Sequence, residues 1–242
     1  MATQTLYFLE IDGINKVVVY VRHTIIIRAA NFFRVALART SSYTPVQVLG
    51  ITAAKSIALG DYESCAVLTD GKVNCWGNNE NGVLGDGTTT DRSIPVEVSG
   101  IKNATRVALS SDHSCALLFD GKVKCWGLND KGQLGDGSTT DRTIPVEVSG
   151  LSTATKISAG GDHSCAVLVS RTVVCWGYGA DVADGTFADR PSPVEVSGIT
   201  TAKDVAVGFQ HSCALLIDGT IQCWGYNTNG QLGDGTTTSR FT

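Results

Sequence analysis

Residues 111–127 read SDHSCALLFDGKVKCWG. Two short runs rich in apolar and β-branched residues, 114–119 and 122–126, flank Asp120-Gly121. Asp and Gly tolerate the positive φ that a tight hairpin turn demands, so the segment reads as two antiparallel strands. The same text returns as GDYESCAVLTDGKVNCWG at 60–77, GDHSCAVLVSRTVVCWG at 161–177 and FQHSCALLIDGTIQCWG at 209–225. Asp70-Gly71 and Asp218-Gly219 repeat the turn, whereas the third copy has Ser170-Arg171 and a less well specified hairpin. The first cysteines of the copies, Cys65, Cys115, Cys165 and Cys213, are spaced by 50, 50 and 48 residues.

A second shared piece links the hairpins. NNENGVLGDGTTTDRSIPVEVSGI at 78–101 recurs as LNDKGQLGDGSTTDRTIPVEVSGL at 128–151. Within one period the strands are expected at 95–98, 106–109, 114–119 and 122–126, and no helical periodicity follows Pro45. One four-stranded unit per period of about 50 residues is the pattern of a propeller blade. The expected fold is all-β: a β-propeller-type repeat array of four-stranded antiparallel blades, as a complete or partial ring. A lone small sheet cannot bury both faces, so stacked neighbours must share the core. Residues 45–242 form the propeller domain, with repeats at 45–94, 95–144, 145–192 and 193–242.

Residues 1–44 do not match the repeat well. Residues 9–13, LEIDG, echo its Leu-x-Asp-Gly hairpin, and residues 17–20, VVVY, suit a return strand. A degenerate blade or capping strand is one reading, and a separate N-terminal element the other. The apolar stretch 16–38 is interrupted by Arg22, Arg28 and Arg34, which argues against an export signal or a spanning helix.

Composition sets the outer bounds. Of 242 residues, 27 are Gly and 5 Pro, which suits many tight turns rather than a disordered linker. The net charge of −4 leaves no basic surplus to neutralise phosphates, so nucleic acid is excluded as a general partner. Nucleophile elbows, phosphate loops, dinucleotide fingerprints and paired-carboxylate sites are all missing. Everything distinctive occurs three or four times, whereas a catalytic constellation is unique, so the chain reads as a non-enzyme without a cofactor.

The pattern H-S-C-A-L-L-x-D-G-x-V-x-C-W-G, followed by N-x-x-G-Q-L-G-D-G, resembles the regulator of chromosome condensation repeat, over nearly all of 45–242. The resemblance implies propellers that are typically seven-bladed. It spans nuclear exchange factors for a small GTPase, a secreted β-lactamase-inhibiting propeller and many bacterial surface or secreted proteins. The cysteine-bearing variant with its GDGTTTDR loop looks most like the bacterial, exported branch. Four units are fewer than seven. A fragment, an open arc completed by other copies and a closed four-bladed ring all remain open.

The two cysteines of each repeat flank one hairpin, with nine residues between them. Facing positions on neighbouring strands bring Cβ atoms within disulfide range, pairing Cys65 with Cys75, Cys115 with Cys125, Cys165 with Cys175 and Cys213 with Cys223. Such usage favours an oxidising compartment. The alternatives are reduced, buried thiols, or zinc with His113 or His163, though no fourth ligand recurs. His113, His163 and His211 read as structural hydrogen bonders at a blade corner. Trp76, Trp126, Trp176 and Trp224 read as packing groups whose indole N–H finds a local acceptor. In the loop at 85–92, Asp and Thr are expected to cap turns and Arg92, Arg142 and Arg190 to pair with a carboxylate; the spacing does not fit an EF-hand.

Variation concentrates in the loops at 78–83, 128–133, 178–183 and 226–231. Asn79, Glu80, Asn129, Asp130, Tyr178, Asp181, Asn227 and Asn229 are therefore the candidate binding residues. The expected function is an extracellular or cell-surface scaffold that presents a rigid rim to a protein partner or to further copies of itself, without membrane insertion. A nuclear-type exchange factor or chromatin adaptor, and a secreted enzyme inhibitor, are the alternatives; fold resemblance alone does not separate them.

Overall fold

The computed structural model describes residues 7–9, 17–19 and 44–241. The chain divides into two compact units, Met1–Gln47 and Val48–Thr242. In the first, β1 (Tyr7–Leu9) pairs antiparallel with β2 (Val17–Val19), Leu9 facing Val17. The turn between them lies outside the described residues, as does most of the apolar stretch 16–38.

The second unit is a serial array of antiparallel sheets. The first blade contains β3 (Ala54–Leu59), β4 (Glu63–Leu68), β5 (Val73–Gly77) and β6 (Arg92–Glu97), in that order across the sheet. The second repeats it with β7 (Ala104–Leu109), β8 (His113–Leu118), β9 (Val123–Gly127) and β10 (Arg142–Glu147). The third uses β11 (Ala154–Gly160), β12 (His163–Leu168), β13 (Val173–Gly177) and β14 (Arg190–Glu195). A single 3-10 turn, Gly179–Asp181, interrupts its last loop. The fourth has β15 (Ala202–Val207), β16 (His211–Leu216) and β17 (Ile221–Gly225), with an isolated bridge from Gly225 to Arg240 in place of a fourth strand.

The blades are out of phase with the repeat boundaries read from the sequence. The strand at 92–97 closes the blade before it, with Asn74 opposite Glu97 and Cys75 opposite Val96. Periodicity defines the length of a unit but not where it starts. The loop at 78–91 returns the chain antiparallel to β5, so the outer strand belongs with the preceding hairpin. A bulge between Arg92 and Val96 starts that strand earlier than expected.

Each core lies between blades. Cys65, Val67, Val73, Cys75, Val83 and Leu84 of the first blade pack with Val107, Leu109, Ala116, Leu118 and Trp126 of the second. Equivalent clusters join the second blade to the third and the third to the fourth. One face of every blade is thus covered by the blade before it, and the first blade is the exception. Val107 and Leu109 are 8% and 7% exposed, while their counterparts Ile57 and Leu59 are 70% and 69% exposed. Among the described residues no blade covers that face, so these four blades do not close a ring on one another.

Candidate functional site

The cysteines pair within each hairpin. The ladder sets Cys65 opposite Cys75, Cys115 opposite Cys125, Cys165 opposite Cys175 and Cys213 opposite Cys223. All four pairs are disulfide-bonded, with Cα atoms 4.0–4.1 Å apart. Their sulfurs are therefore not thiolate ligands. Among the described residues, no group of three or more His, Cys, Asp or Glu side chains converges to hold a metal.

Trp and Ser hold blade to blade. Trp126 Nε1–H donates to the Val83 carbonyl at 2.7 Å, Trp176 Nε1–H to that of Gln133 at 2.9 Å, and Trp224 Nε1–H to that of Asp181 at 3.0 Å. Each acceptor lies 43 residues earlier, in the preceding blade. The acceptor is thus not local, as the sequence suggested, but across the joint. Ser114 Oγ also donates to the Val83 carbonyl, at 3.0 Å, and Ser164 Oγ to that of Gln133, at 3.3 Å. Sequence reasoning passed over these serines, although a serine directly precedes the first Cys in every copy and follows a His in three of the four.

The histidines serve the same joints. His113 Nε2 lies 2.7 Å from Ser164 Oγ, and His163 Nε2 lies 2.7 Å from Ser212 Oγ. Since Ser164 gives its proton to Gln133, His113 Nε2–H is the donor to Ser164. His113 Nδ1 then accepts from Ser110 Oγ at 2.7 Å. This neutral tautomer agrees with burial, which pushes the His113 pKa down to about 4. His163 is pushed down to about 3, by burial and by the neighbouring histidines. Its Nδ1 stands 3.6 Å from Asp181 Oδ2, and neither atom has a hydrogen-bond partner. Burial lifts Asp181 to about 7, and since His163 is held neutral the contact is not an ion pair. The first blade has Glu63 in the histidine position. Burial pushes it up to about 7, and its Oε1 has no partner.

The loop rim is cross-braced. In the first blade, Asp86 Oδ1 accepts from Thr88 N and Thr88 Oγ1 at 2.9 and 2.7 Å, and Asp86 Oδ2 from Arg92 Nε and Nη2 at 2.9 and 2.6 Å. Asp136 with Ser138 and Arg142, Asp184 with Thr186 and Arg190, and Asp234 with Thr236 and Arg240 repeat the arrangement. Burial works to raise the Asp86, Asp136 and Asp184 pKa values, but the hydroxyl and guanidinium donors outweigh it and hold all three low. With both oxygens occupied and a guanidinium alongside, this loop is built as a brace and not as a calcium site.

Four of the eight candidate binding residues are interior. Asn79, Asn129, Asn227 and Asp181 are at most 1% exposed. Asn129 Nδ2 donates to the carbonyls of Ser138 and Thr140, both at 3.1 Å, while its Oδ1 accepts from Leu134 N at 2.9 Å. Asn79 and Asn227 make the same set. These asparagines organise the loops from within, and their recurrence at one offset was the available signal. Glu80, Asp130 and Asn229 are exposed and Tyr178 is half-buried, so these four form the accessible rim.

The comparisons follow this pattern. A profile of the regulator of chromosome condensation (RCC1) repeat matches residues 70–117 and 120–167. A second profile of the same repeat matches 54–83, 104–133, 154–181 and 202–231. A search of curated protein sequences returned no significant match. Among solved structures, human WBSCR16 is similar with a TM-score of 0.75 and 22% identity, over 83% of this chain and 55% of that one. Yeast RCC1 (Prp20) bound to Kap60 aligns with a TM-score of 0.71 and 22% identity, over 82% and 50%. Prp20p from Saccharomyces cerevisiae, characterised with its binding to Gsp1p and histones, aligns at 0.70 and 24%, over 81% and 51%. The chain thus spans about half the length of these structures.

Proposed function

The chain belongs to the RCC1 repeat family, and from that premise we propose that it is a non-enzymatic, extracellular or cell-surface scaffold whose rigid blades present a rim for protein binding or self-assembly. The observation that carries this reading is how the polar groups are used. The recurring His, Ser, Trp, Asn, Asp and Arg side chains are largely engaged in holding blades and loops, while Glu80, Asp130, Tyr178 and Asn229 are left at the tips. Surface loops on a stiff frame are where recognition concentrates. The four disulfides support an oxidising setting. Among the described residues no helix is long and apolar enough to cross a membrane.

The test uses the chain as bait on the surface of cells that express it, beside a Glu80→Ala/Asp130→Ala/Asn229→Ala triple variant. A protein captured by the first and lost with the second supports the reading. Capture indifferent to the rim refutes it. Acceleration of guanine-nucleotide release from a small GTPase would favour the nuclear alternative, and eight free thiols in native material would overturn the extracellular placement.

A further inference from the structure

The blades carry most of their acid at one end. Each strand reverses the one before it, so the loops at 60–62 and 78–91 leave the first blade at the same end. Their counterparts are 110–112, 128–141, 161–162, 178–189, 208–210 and 226–239. Together these loops hold thirteen Asp and Glu residues and one Lys, Lys131, with no Arg. The hairpin turns at the opposite end, 69–72, 119–122, 169–172 and 217–220, are balanced, with three acids and three cations. Of the thirteen, Asp86, Asp136, Asp184 and Asp234 are neutralised by the arginine braces, and Asp181 is buried. The other eight have only Lys131 among them, 3.8 Å from Asp130. Asp162 feels the result: burial, then the charges of Asp130 and Asp112, raise its pKa.

Two further features of this end point to a cationic ligand. Glu63 and Asp181, 3% and 1% exposed, each keep one carboxyl oxygen without a partner. Glu63 is turned into the 60–62 loop, where its Oε2 accepts from Tyr62 N at 3.1 Å and its Oε1 takes the space that a Cβ on Gly60 would need. Burial lifts both carboxyls, and neighbouring acids add to it, Asp61 and Asp112 for Glu63 and Asp162 for Asp181. A positive charge on these loops relieves that repulsion. The second feature is aromatic. Tyr62 and Phe209 are 78% and 70% exposed, and Tyr226 and Phe187 also stand exposed in these loops. The fold does not require the first two rings, since Asp112 and Asp162 take the place of Tyr62 in other blades, and Ser111 and Gly161 that of Phe209.

We propose that this loop end binds a lysine- and arginine-rich segment of a partner protein, its carboxylates pairing with the cations and its exposed rings stacking on the guanidinium groups. A single metal ion does not suit the arrangement, because among the described residues no three such groups converge. An extended chain does, because the acids and rings are spread over the loops of all four blades. The inference names the partner chemistry for the rim-binding function proposed above and rests on that reading.

The test is fluorescence anisotropy of labelled oligo-arginine, oligo-lysine and oligo-glutamate peptides of equal length, titrated with the full 242-residue chain over a salt series. Oligo-arginine should bind best, oligo-lysine more weakly and oligo-glutamate not at all, with affinity falling as salt rises. Asp61→Asn/Glu80→Gln/Asp130→Asn should weaken arginine binding roughly tenfold. Glu97→Gln/Glu147→Gln/Glu195→Gln removes as much charge from strand ends at the opposite end and should leave binding unchanged. All six side chains are exposed, so circular dichroism should not change. Tyr62→Ser/Phe209→Ser should lower arginine affinity roughly fivefold, to the level of lysine. Equal losses in the two charge variants overturn the proposal, since they belong to attraction by net charge alone. Absence of binding to either cationic peptide overturns it too. A partner captured through the rim by an acidic or neutral surface sinks this inference and leaves the binding function standing; failure of any capture to depend on the rim sinks that function itself.

Discussion

Replacing Asn129 with alanine tests whether the recurring asparagines are interior organisers or recognition residues. Asn129 is fully buried. The change removes the acceptor of the buried Leu134 N–H and the donor to two loop carbonyls. An orphaned buried N–H costs about 1–3 kcal/mol, and each lost bond to a carbonyl that water can reach roughly 0.5–1 kcal/mol. The sum is about 2–5 kcal/mol. For a repeat domain of this size that lowers the thermal midpoint by roughly 4–20 °C. Calorimetry reads the midpoint, and hydrogen exchange should show faster opening confined to 128–141. Asp130→Ala, one residue away but exposed, should shift stability by less than about 0.5 kcal/mol. Asn129→Asp should be worse than Asn129→Ala, because it sets another carboxylate beside Asp136 and Asp141. If Asn129→Ala left both midpoint and exchange unchanged while a partner lost affinity, the reasoning would be refuted.

Removing one disulfide as Cys115→Ala/Cys125→Ala should cost roughly 3 kcal/mol by the loop-entropy argument, measured as the shift in urea midpoint. Trp126→Phe leaves the buried Val83 carbonyl without its indole donor and opens a void, for about 2–3 kcal/mol. Trp76→Phe in the monomer should cost under about 1 kcal/mol, and equal losses would contradict the joint. Glu63→Gln should change how stability follows pH. The folded carboxyl titrates near 7 against 4.5 as its ordinary value, so its contribution is full below 4.5 and is lost as pH rises through 7. The variant should therefore gain about 1–2 kcal/mol over wild type across that window. His113 and His163, held down to about 4 and 3, act in the opposite sense, costing stability as pH falls below 6.5; the difference curve cancels them.

What could be read in the sequence was whatever repeats over short range. Asp120-Gly121 marks a hairpin, and the hairpin puts Cys115 opposite Cys125. The phase of the blades was not legible, because a period carries no origin and the strand at 92–97 pairs backwards through a 14-residue loop, residues 78–91. The acceptor of Trp126 was not legible either, since it is a backbone carbonyl 43 residues away and backbone atoms leave no mark in a sequence. Asn79, Asn129 and Asn227 read in the sequence as candidate binding residues because polar residues between strands are usually solvated. Their constancy from copy to copy was the better guide. In the third repeat the turn that lacks Asp-Gly still forms, with Arg171 carrying the positive φ of 67° that glycine takes in the other copies.

Each blade after the first is clasped by an indole reaching into the blade before it. Exchange of the four indole N–H protons with deuterium, followed by NMR on dilute monomer, reads that clasp directly. Trp126, Trp176 and Trp224 should be protected and Trp76 should exchange as if free, the latter assigned by its absence in Trp76→Phe. Four indoles exchanging alike, fast or slow, would contradict the account.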